Sequence, residues 1–408
     1  VIGRLLVVAD AYPWPARDGY RQRIATMVGL LAEMAEVEML VVTHPGEPTA
    51  TPAPLELAKL WSVCCGWRRA PERARALASG LPRRIAWRDW TAARRELAGL
   101  ADRSFDAVWV THVDLFVAAG PELEALGPVV VDVPDMEDWT VTRALRAKGS
   151  ASMEALRSVV ARRSLRPLGA MLLDRLEVPR WRRVHAGVRD RAEAVVVCSE
   201  ADKRRLGGEG VAVVPNGYDW DGPVVCPPVP PVILMVGNFT YQPNLQAARY
   251  FAHEVWPLVK AGCPQARLRL VGRHDRRLEE ATRGSGAELV GEVPDVHAEL
   301  LGARVAVAPL LAGSGTRIKI LEAWAHGLPV VSTSVGCDGL EARHGEHLLV
   351  AGEPQGLAQA CLNLLHDDEL WRRLSAQGRD LWERSYRWSV AAASLREVVA
   401  PLLAGRAR

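Results

Sequence analysis

One stretch constrains this chain more than any other: Ala312-Gly-Ser-Gly-Thr-Arg-Ile-Lys-Ile-Leu-Glu-Ala-Trp-Ala-His-Gly-Leu-Pro-Val-Val331. It reads as loop, short helix, turn and strand. Gly313, Ser314 and Gly315 make a loop after the apolar run Val305 to Pro309, and Ser314 or Thr316 is placed to cap the helix that follows. Gly327 and Pro329 then end that helix, and Val330-Val331 begin a new strand. Arg317 and Lys319 fall in the first helical turn, where unpaired N–H groups and the peptide dipoles already concentrate positive potential. Bases there call for an anion. A phosphate or diphosphate fits, because a glycine loop lets the backbone approach it closely and the helix start supplies donors. Glu322, a turn deeper, is an acceptor-only group suited to a ribose diol. The bland alternative is two solvated bases and an ordinary helical acid.

Length and composition set the frame for that site. With 408 residues, 49% of them apolar and 24% charged, the chain is long enough for two domains with sizeable cores. A net charge of +3 is too small to argue for nucleic acid, and no nucleic-acid-binding module accompanies the bases. Seven cysteines without a Cys-x-x-Cys spacing give neither a zinc framework nor a disulfide set, which points to a reducing cytoplasm. The opening Val-Ile-Gly-Arg-Leu-Leu-Val-Val-Ala is a buried strand, too short for a signal h-region. No apolar run approaches the ~20 residues of a membrane span, so any membrane contact is expected to be peripheral.

Apolar strands alternate with helices along the whole chain, the pattern of doubly wound α/β domains. The strand Arg4 to Ala9 leads through Tyr12 to Tyr20 into an amphipathic helix from about Arg21 to Met34, with Gly19 at its start. Strands at 37–43, 106–111 and 128–133 follow. The last two end in polar clusters, His112 with Asp114 and then Asp135, Glu137 and Asp138, where an open α/β sheet lines its binding crevice. Asp132 and Asp135 alone are weak evidence for a metal, and none is expected. Between about Ala58 and Arg103, Trp61, Trp67, Trp87 and Trp90 interleave with nine arginines, and a second basic run spans about Arg143 to Arg191. These read either as solvated helix faces or as a surface for anionic lipid or an anionic acceptor. Pro-Asn-Gly at 215–217 and the Pro-rich segment Gly222 to Pro231 mark an interdomain linker, after which Val232 opens a second unit. Trp371, Leu374 and Trp382 recur at helical spacing and read as core.

The run Gly313 to Thr333 resembles the C-terminal signature of family 4 glycosyltransferases, retaining enzymes of GT-B fold. The resemblance implies two Rossmann-like α/β domains facing each other across a cleft: residues 1–216, an acceptor domain; residues 217–388, a nucleotide-sugar donor domain; and residues 389–408, a helix returning to the first. It implies that Glu322 binds ribose, that the Glu292-Val293 backbone reads the base through Val293, that Gly19 faces a phosphate, and that Arg273 covers the nucleotide. Ser314, Gly315, Thr316, Arg317 and Lys319 surround the diphosphate. Four positions depart from the family pattern. Asn238 and Asn244 stand where relatives carry an Arg and a Lys on the diphosphate, Ser314 replaces the first Glu of Glu-x7-Glu, and Pro134-Asp135 replaces a His-Asp pair. Donor phosphates therefore depend on Arg317 and Lys319, while Asp135 and His112 are candidates for the sugar or the acceptor hydroxyl. The implied activity is transfer of a sugar from a nucleotide-diphosphate sugar to a hydroxyl on a lipid-linked saccharide, polysaccharide or secondary metabolite, without a cofactor. Two alternatives remain at this point: a GT-B-type sugar-nucleotide epimerase, and a non-catalytic nucleotide-sugar-binding partner of another transferase.

Overall fold

A computed structural model describes residues 3–16, 18–47, 52–149, 166–227 and 230–405. The chain divides into two compact units, Val1–Pro215 with Ala392–Arg408, and Asn216–Ala391.

Unit 1 is built on a seven-stranded sheet: β1 Gly3–Ala9, β2 Ala35–Thr43, β3 Lys59–Cys64, β4 Ala107–Val110, β5 Val129–Val133, β6 Ala194–Val197 and β7 Val211–Val213. The strands lie in the order β3-β2-β1-β4-β5-β6-β7 and all pair in parallel. Continuous Val and Leu runs make the central strands apolar on both faces, which a sheet covered by helices on both sides requires. Strand order reverses between β1 and β4, and at such a switch point the loops leaving adjacent strands diverge and open a crevice. Here Tyr20 Oη donates to Asp10, and the Asp10 amide donates to Thr111 Oγ1 at 3.3 Å, tying the two strand ends together. β3 forms inside the Arg/Trp-rich stretch that reads from sequence as weakly helical. Its exposed edge position explains the missing apolar signal.

The helix Gly19–Ala32 is fixed to the sheet by a buried ion pair. Arg23 donates from Nε and Nη2 to both oxygens of Asp132, each at 2.7 Å, and from Nη1 to the Val214 carbonyl at 3.0 Å. Asp132 is thus a structural counter-ion. The final helix, Trp388–Ala404, buries Leu395 and Val399, and Arg396 pairs with Glu33 at 3.3 Å within unit 1.

Unit 2 repeats the plan with six parallel strands: β8 Val232–Val236, β9 Arg267–Val271, β10 Glu288–Gly291, β11 Val305–Ala308, β12 Val330–Ser332 and β13 Leu349–Val350, ordered β10-β9-β8-β11-β12-β13. Its switch point lies between β8 and β11. Trp371, Leu374 and Trp382 are buried in this unit's core. All seven cysteines are free thiols, and no described helix is long and apolar enough to cross a membrane.

Removing one partner of the Arg23–Asp132 pair strands a buried charge. Asp132→Ala is expected to destabilise unit 1 by about 3–5 kcal/mol, whereas the double variant Arg23→Met/Asp132→Leu loses far less. Urea unfolding followed by tryptophan fluorescence reads the difference.

Candidate nucleotide-diphosphate site

The loops that leave β8 and β11 at the unit 2 switch point bring together most of the residues the sequence singled out. After β8, Asn238 Oδ1 accepts from Thr240 N and Oγ1, at 3.0 and 2.7 Å, and closes a tight turn before the helix Gln242–Tyr250. Asn244, in the first turn of that helix, donates from Nδ2 to the Asn238 carbonyl at 2.9 Å. A Cβ on Gly272 would lie 2.1 Å from the Gly237 carbonyl oxygen, so the two strand ends approach as only glycine permits.

After β11 the loop 309–317 leads into the helix Ile318–Ala325. The residue at the cap is Arg317, in extended conformation, and neither Ser314 nor Thr316. Gly313 and Gly315 both take positive φ, 111° and 76°, which carries the chain one residue further before the helix begins and displaces the expected cap. Arg317 folds back over this loop: its Nη1 donates to the Ser314 carbonyl, and Nη2 lies 2.7 Å from where a Gly313 Cβ would stand. Ser314, Gly315 and Thr316 are buried around it.

Lys319 lies in the first turn. Its ammonium donates to Asn244 Oδ1 at 2.9 Å and sits 2.9 Å from an ideal Cβ on Gly237, so it bridges the two loops of the switch point. Burial and the neighbouring Arg317 charge pull its pKa down to about 7, against a smaller opposing pull from Glu322. Glu322 is buried one turn on, and its field, added to burial, raises the Tyr218 phenol pKa. Val293 is half-buried against the unit 2 core, next to exposed Glu292. Arg273 gives its carbonyl to Phe239 N at 2.7 Å and leaves its side chain exposed. Asn238, Asn244 and Lys319 thus form one hydrogen-bonded group, with the Arg317 charge acting on Lys319 and Glu322 on the same helix.

In unit 1 the strand-end residues form a different kind of site. His112 caps the helix Val113–Glu124, accepting from Asp114 N at 3.3 Å, and its Nε2 lies 3.2 Å from Glu137 Oε1. Arg84 reaches in from the short helix Arg83–Ala86 and donates to Asp114 at 2.7 and 2.9 Å and to Glu137 at 2.5 Å. Its guanidinium lies 4.8 Å over the Trp181 ring. Burial would raise Glu137, but Arg84 and His185 hold its pKa down at about 2. Burial and Arg84 likewise work against the raised pKa of His112, and Asp114 and Glu137 outweigh them. Ligand-type atoms of His112, Asp114 and Glu137 come within 4.8 Å of one another, a spacing suited to a metal, yet Arg84 already supplies the counter-charge there. His112 is therefore buried and engaged on both ring nitrogens. Asp135 is half-buried just past β5. Gly19 opens its helix, whose start is served by the Asp18 carboxylate accepting from Arg21 N at 2.9 Å.

Sequence reasoning passed over Arg84, which looks like one arginine among nine, and it also missed an aromatic column in unit 2. There the Trp220 indole stacks on His297 and His326, at 4.1 and 4.2 Å between centroids. His326 Nδ1 donates to the Glu322 carbonyl at 2.7 Å, which leaves Nε2 to accept from His297 Nδ1 at 3.0 Å. Burial holds the His326 pKa at about 4. The His326 signal lay in the signature stretch itself, at the end of the helix that carries Glu322.

Comparison with known proteins bears on the same unit. Residues 230–367 match the family model described as glycosyl transferases group 1. A phosphatidyl-myo-inositol mannosyltransferase of Mycobacterium leprae is 36% identical over 141 residues, 32% of this chain and 37% of that protein. An uncharacterized 44.6 kDa protein of the Klebsiella pneumoniae cps region is 28% identical over 140 residues, 32% of this chain and 36% of that protein. The chain thus spans little more than a third of the curated relatives it matches. Among solved structures, Anabaena HepE in complex with UDP and glucose aligns over 98% of this chain and all of that one, with TM-score 0.65 and 14% identity. Sucrose-phosphate synthase from Thermosynechococcus elongatus aligns over 98% and 100%, with TM-score 0.66 and 18% identity. These likenesses establish the two-unit, parallel-sheet fold of GT-B glycosyltransferases.

Lys319→Ala is expected to weaken binding of a nucleoside diphosphate about tenfold or more, the cost of one charge-assisted hydrogen bond. The exchange Asn244→Lys/Lys319→Asn returns an ammonium to the same place from the other helix and recovers much of that loss. Because the free lysine titrates near pH 7, the neutral form grows above that value. Affinity therefore falls as pH rises from 6 to 9, roughly the span that brackets this pKa. Lys319→Arg, which stays charged, removes this dependence while leaving the ligand's own titration unchanged. Isothermal titration calorimetry with a nucleoside diphosphate measures all three.

Proposed function

We propose that this chain is a retaining, metal-independent glycosyltransferase that moves a sugar from a nucleoside-diphosphate sugar to an acceptor hydroxyl. The observation that carries this reading is the Asn244–Lys319 bridge across the unit 2 switch point, beside Arg317 and one turn from Glu322. Two cations at a helix start favour a diphosphate that gains charge as the glycosidic bond breaks. Fixed donors aimed at developing charge accelerate such a step without reorganising during it. Glu322 accepts from the ribose diol, and the backbone beside Val293 contacts the base. UDP is the first donor nucleotide to test, since HepE was solved with UDP.

In a retaining transfer the acceptor hydroxyl enters on the face the diphosphate leaves, and its proton passes to a departing phosphate oxygen. No protein base is then required, which agrees with a His112 already committed to its helix cap and to Glu137. Asp135 is the remaining strand-end group for orienting an acceptor hydroxyl. The acceptor belongs to unit 1, as a lipid-linked saccharide, polysaccharide or secondary metabolite, and the enzyme works in the cytoplasm in peripheral contact with a membrane.

A second reading, a nucleotide-sugar-binding partner without activity of its own, is favoured by Ser314 and Pro134-Asp135, which replace a Glu and a His of the family pattern. Incubation with a panel of nucleotide-sugars, following nucleoside diphosphate release, separates the two. Slow hydrolysis of one donor is expected, and Glu322→Ala should raise its KM about tenfold with a smaller change in kcat, as lost ribose binding dictates. Tight donor binding with no release from any member of the panel would establish the partner reading instead.

A further inference from the structure

The Arg/Trp-rich segment of unit 1 leaves charge and apolar surface that nothing in the fold accounts for. Residues 66–88 contain seven arginines and one glutamate. Two of the arginines are answered internally: Arg83 pairs with Asp174 and Glu177, and Arg84 with Asp114 and Glu137. Arg68, Arg69, Arg73, Arg75 and Arg88 form no ion pair among the described residues, so the surface keeps a local excess of positive charge.

Large apolar side chains stand among these cations. The ends of the segment Gly66 to Asp89, which carries the helices Ala70–Ala78 and Arg83–Ala86, meet at a single bridge between Trp67 and Arg88, with Arg68 N donating to the Trp87 carbonyl at 2.8 Å. Trp67 is 55% exposed and Trp87 38%, the latter beneath the Arg73 guanidinium at 5.8 Å. The long helix Arg166–Arg191 continues this surface, since Arg180 Nη2 donates to the Leu77 carbonyl at 3.2 Å and Arg83 holds Asp174 at 2.5 Å. On that helix Leu173 and Leu176 are 42% and 44% exposed, and Arg183 follows along the same face.

We propose that this surface, the segment 66–88 with Trp67 and Trp87 and the helix with Leu173 and Leu176, docks unit 1 on an anionic lipid bilayer. Indoles prefer the headgroup region, arginines keep their charge at the surface while burying their stems, and aliphatic side chains enter the acyl boundary. A nucleic acid would also accept stacked tryptophans and arginines, but it offers nothing for two exposed leucines. The surface specifies the membrane contact named for the proposed transferase. Its assay needs no turnover, so it stands or falls separately from that activity.

Co-sedimentation of the full chain with phosphatidylcholine vesicles, with and without about a third phosphatidylglycerol, tests the assignment. Binding to the anionic vesicles alone is expected, with release in molar salt. Trp67→Ser/Trp87→Ser and Leu173→Ser/Leu176→Ser should each weaken it about tenfold, and Arg69→Gln/Arg75→Gln similarly. Nucleoside diphosphate affinity, a property of unit 2, is unchanged in all three variants, and an unchanged urea-unfolding curve by circular dichroism reports that unit 1, which carries the substitutions, is folded. No binding to either vesicle, equal binding to both, or retention by single-stranded RNA in place of vesicles would overturn the proposal.

Discussion

A lysine ammonium held against a neutral amide, in the first turn of a helix whose cap is an arginine, is the interaction on which the functional reading of this chain depends. Each element adds positive potential: peptide N–H groups, the dipole, Arg317 and Lys319. Lys319 responds as a crowded cation does, with a pKa drawn down to about 7. Its hydrogen bond goes to Asn244, which orients the ammonium without neutralising it. An arrived anion relieves the repulsion between the two bases and pairs with N–H groups that the helix leaves open, so binding energy is concentrated where a diphosphate would sit.

Unit 1 treats its charges in the opposite way. Arg23 lies in a bidentate pair with Asp132, and Arg84 is clasped by Asp114 and Glu137, with His112 and His185 completing the network. These cations are answered within the protein and fix helices and an insertion to the sheet. The same strand-end positions of two similar sheets thus hold carboxylate-paired cations in one unit and, in the other, a lysine hydrogen-bonded to a neutral amide. The arginines of the 66–88 segment that form no ion pair among the described residues stand with the exposed tryptophans Trp67 and Trp87.

Much of this was legible in the sequence where local chemistry repeats a simple period. Valine and leucine runs gave the central strands of both sheets, and the glycine loop before Arg317 marked the candidate site. β3 was missed because an edge strand with one wet face lacks the apolar run. The helix cap was misplaced by one residue from Thr316 because two positive-φ glycines extend the loop, a conformational choice that residue types alone leave open. Arg84 was hidden for another reason: only tertiary structure distinguishes an arginine that meets two buried carboxylates from its solvated neighbours. The pairing of Asn244 with Lys319 joins residues 75 positions apart, a contact that no local pattern encodes.

Diffraction from crystals of the chain grown with a nucleoside diphosphate addresses the central claim most directly. The account predicts the β-phosphate within hydrogen-bond distance of Lys319 Nζ and of the Arg317 guanidinium, at the start of the helix Ile318–Ala325, with the ribose hydroxyls on Glu322. A nucleotide bound elsewhere, with both cations facing solvent and Glu322 unengaged, would contradict it.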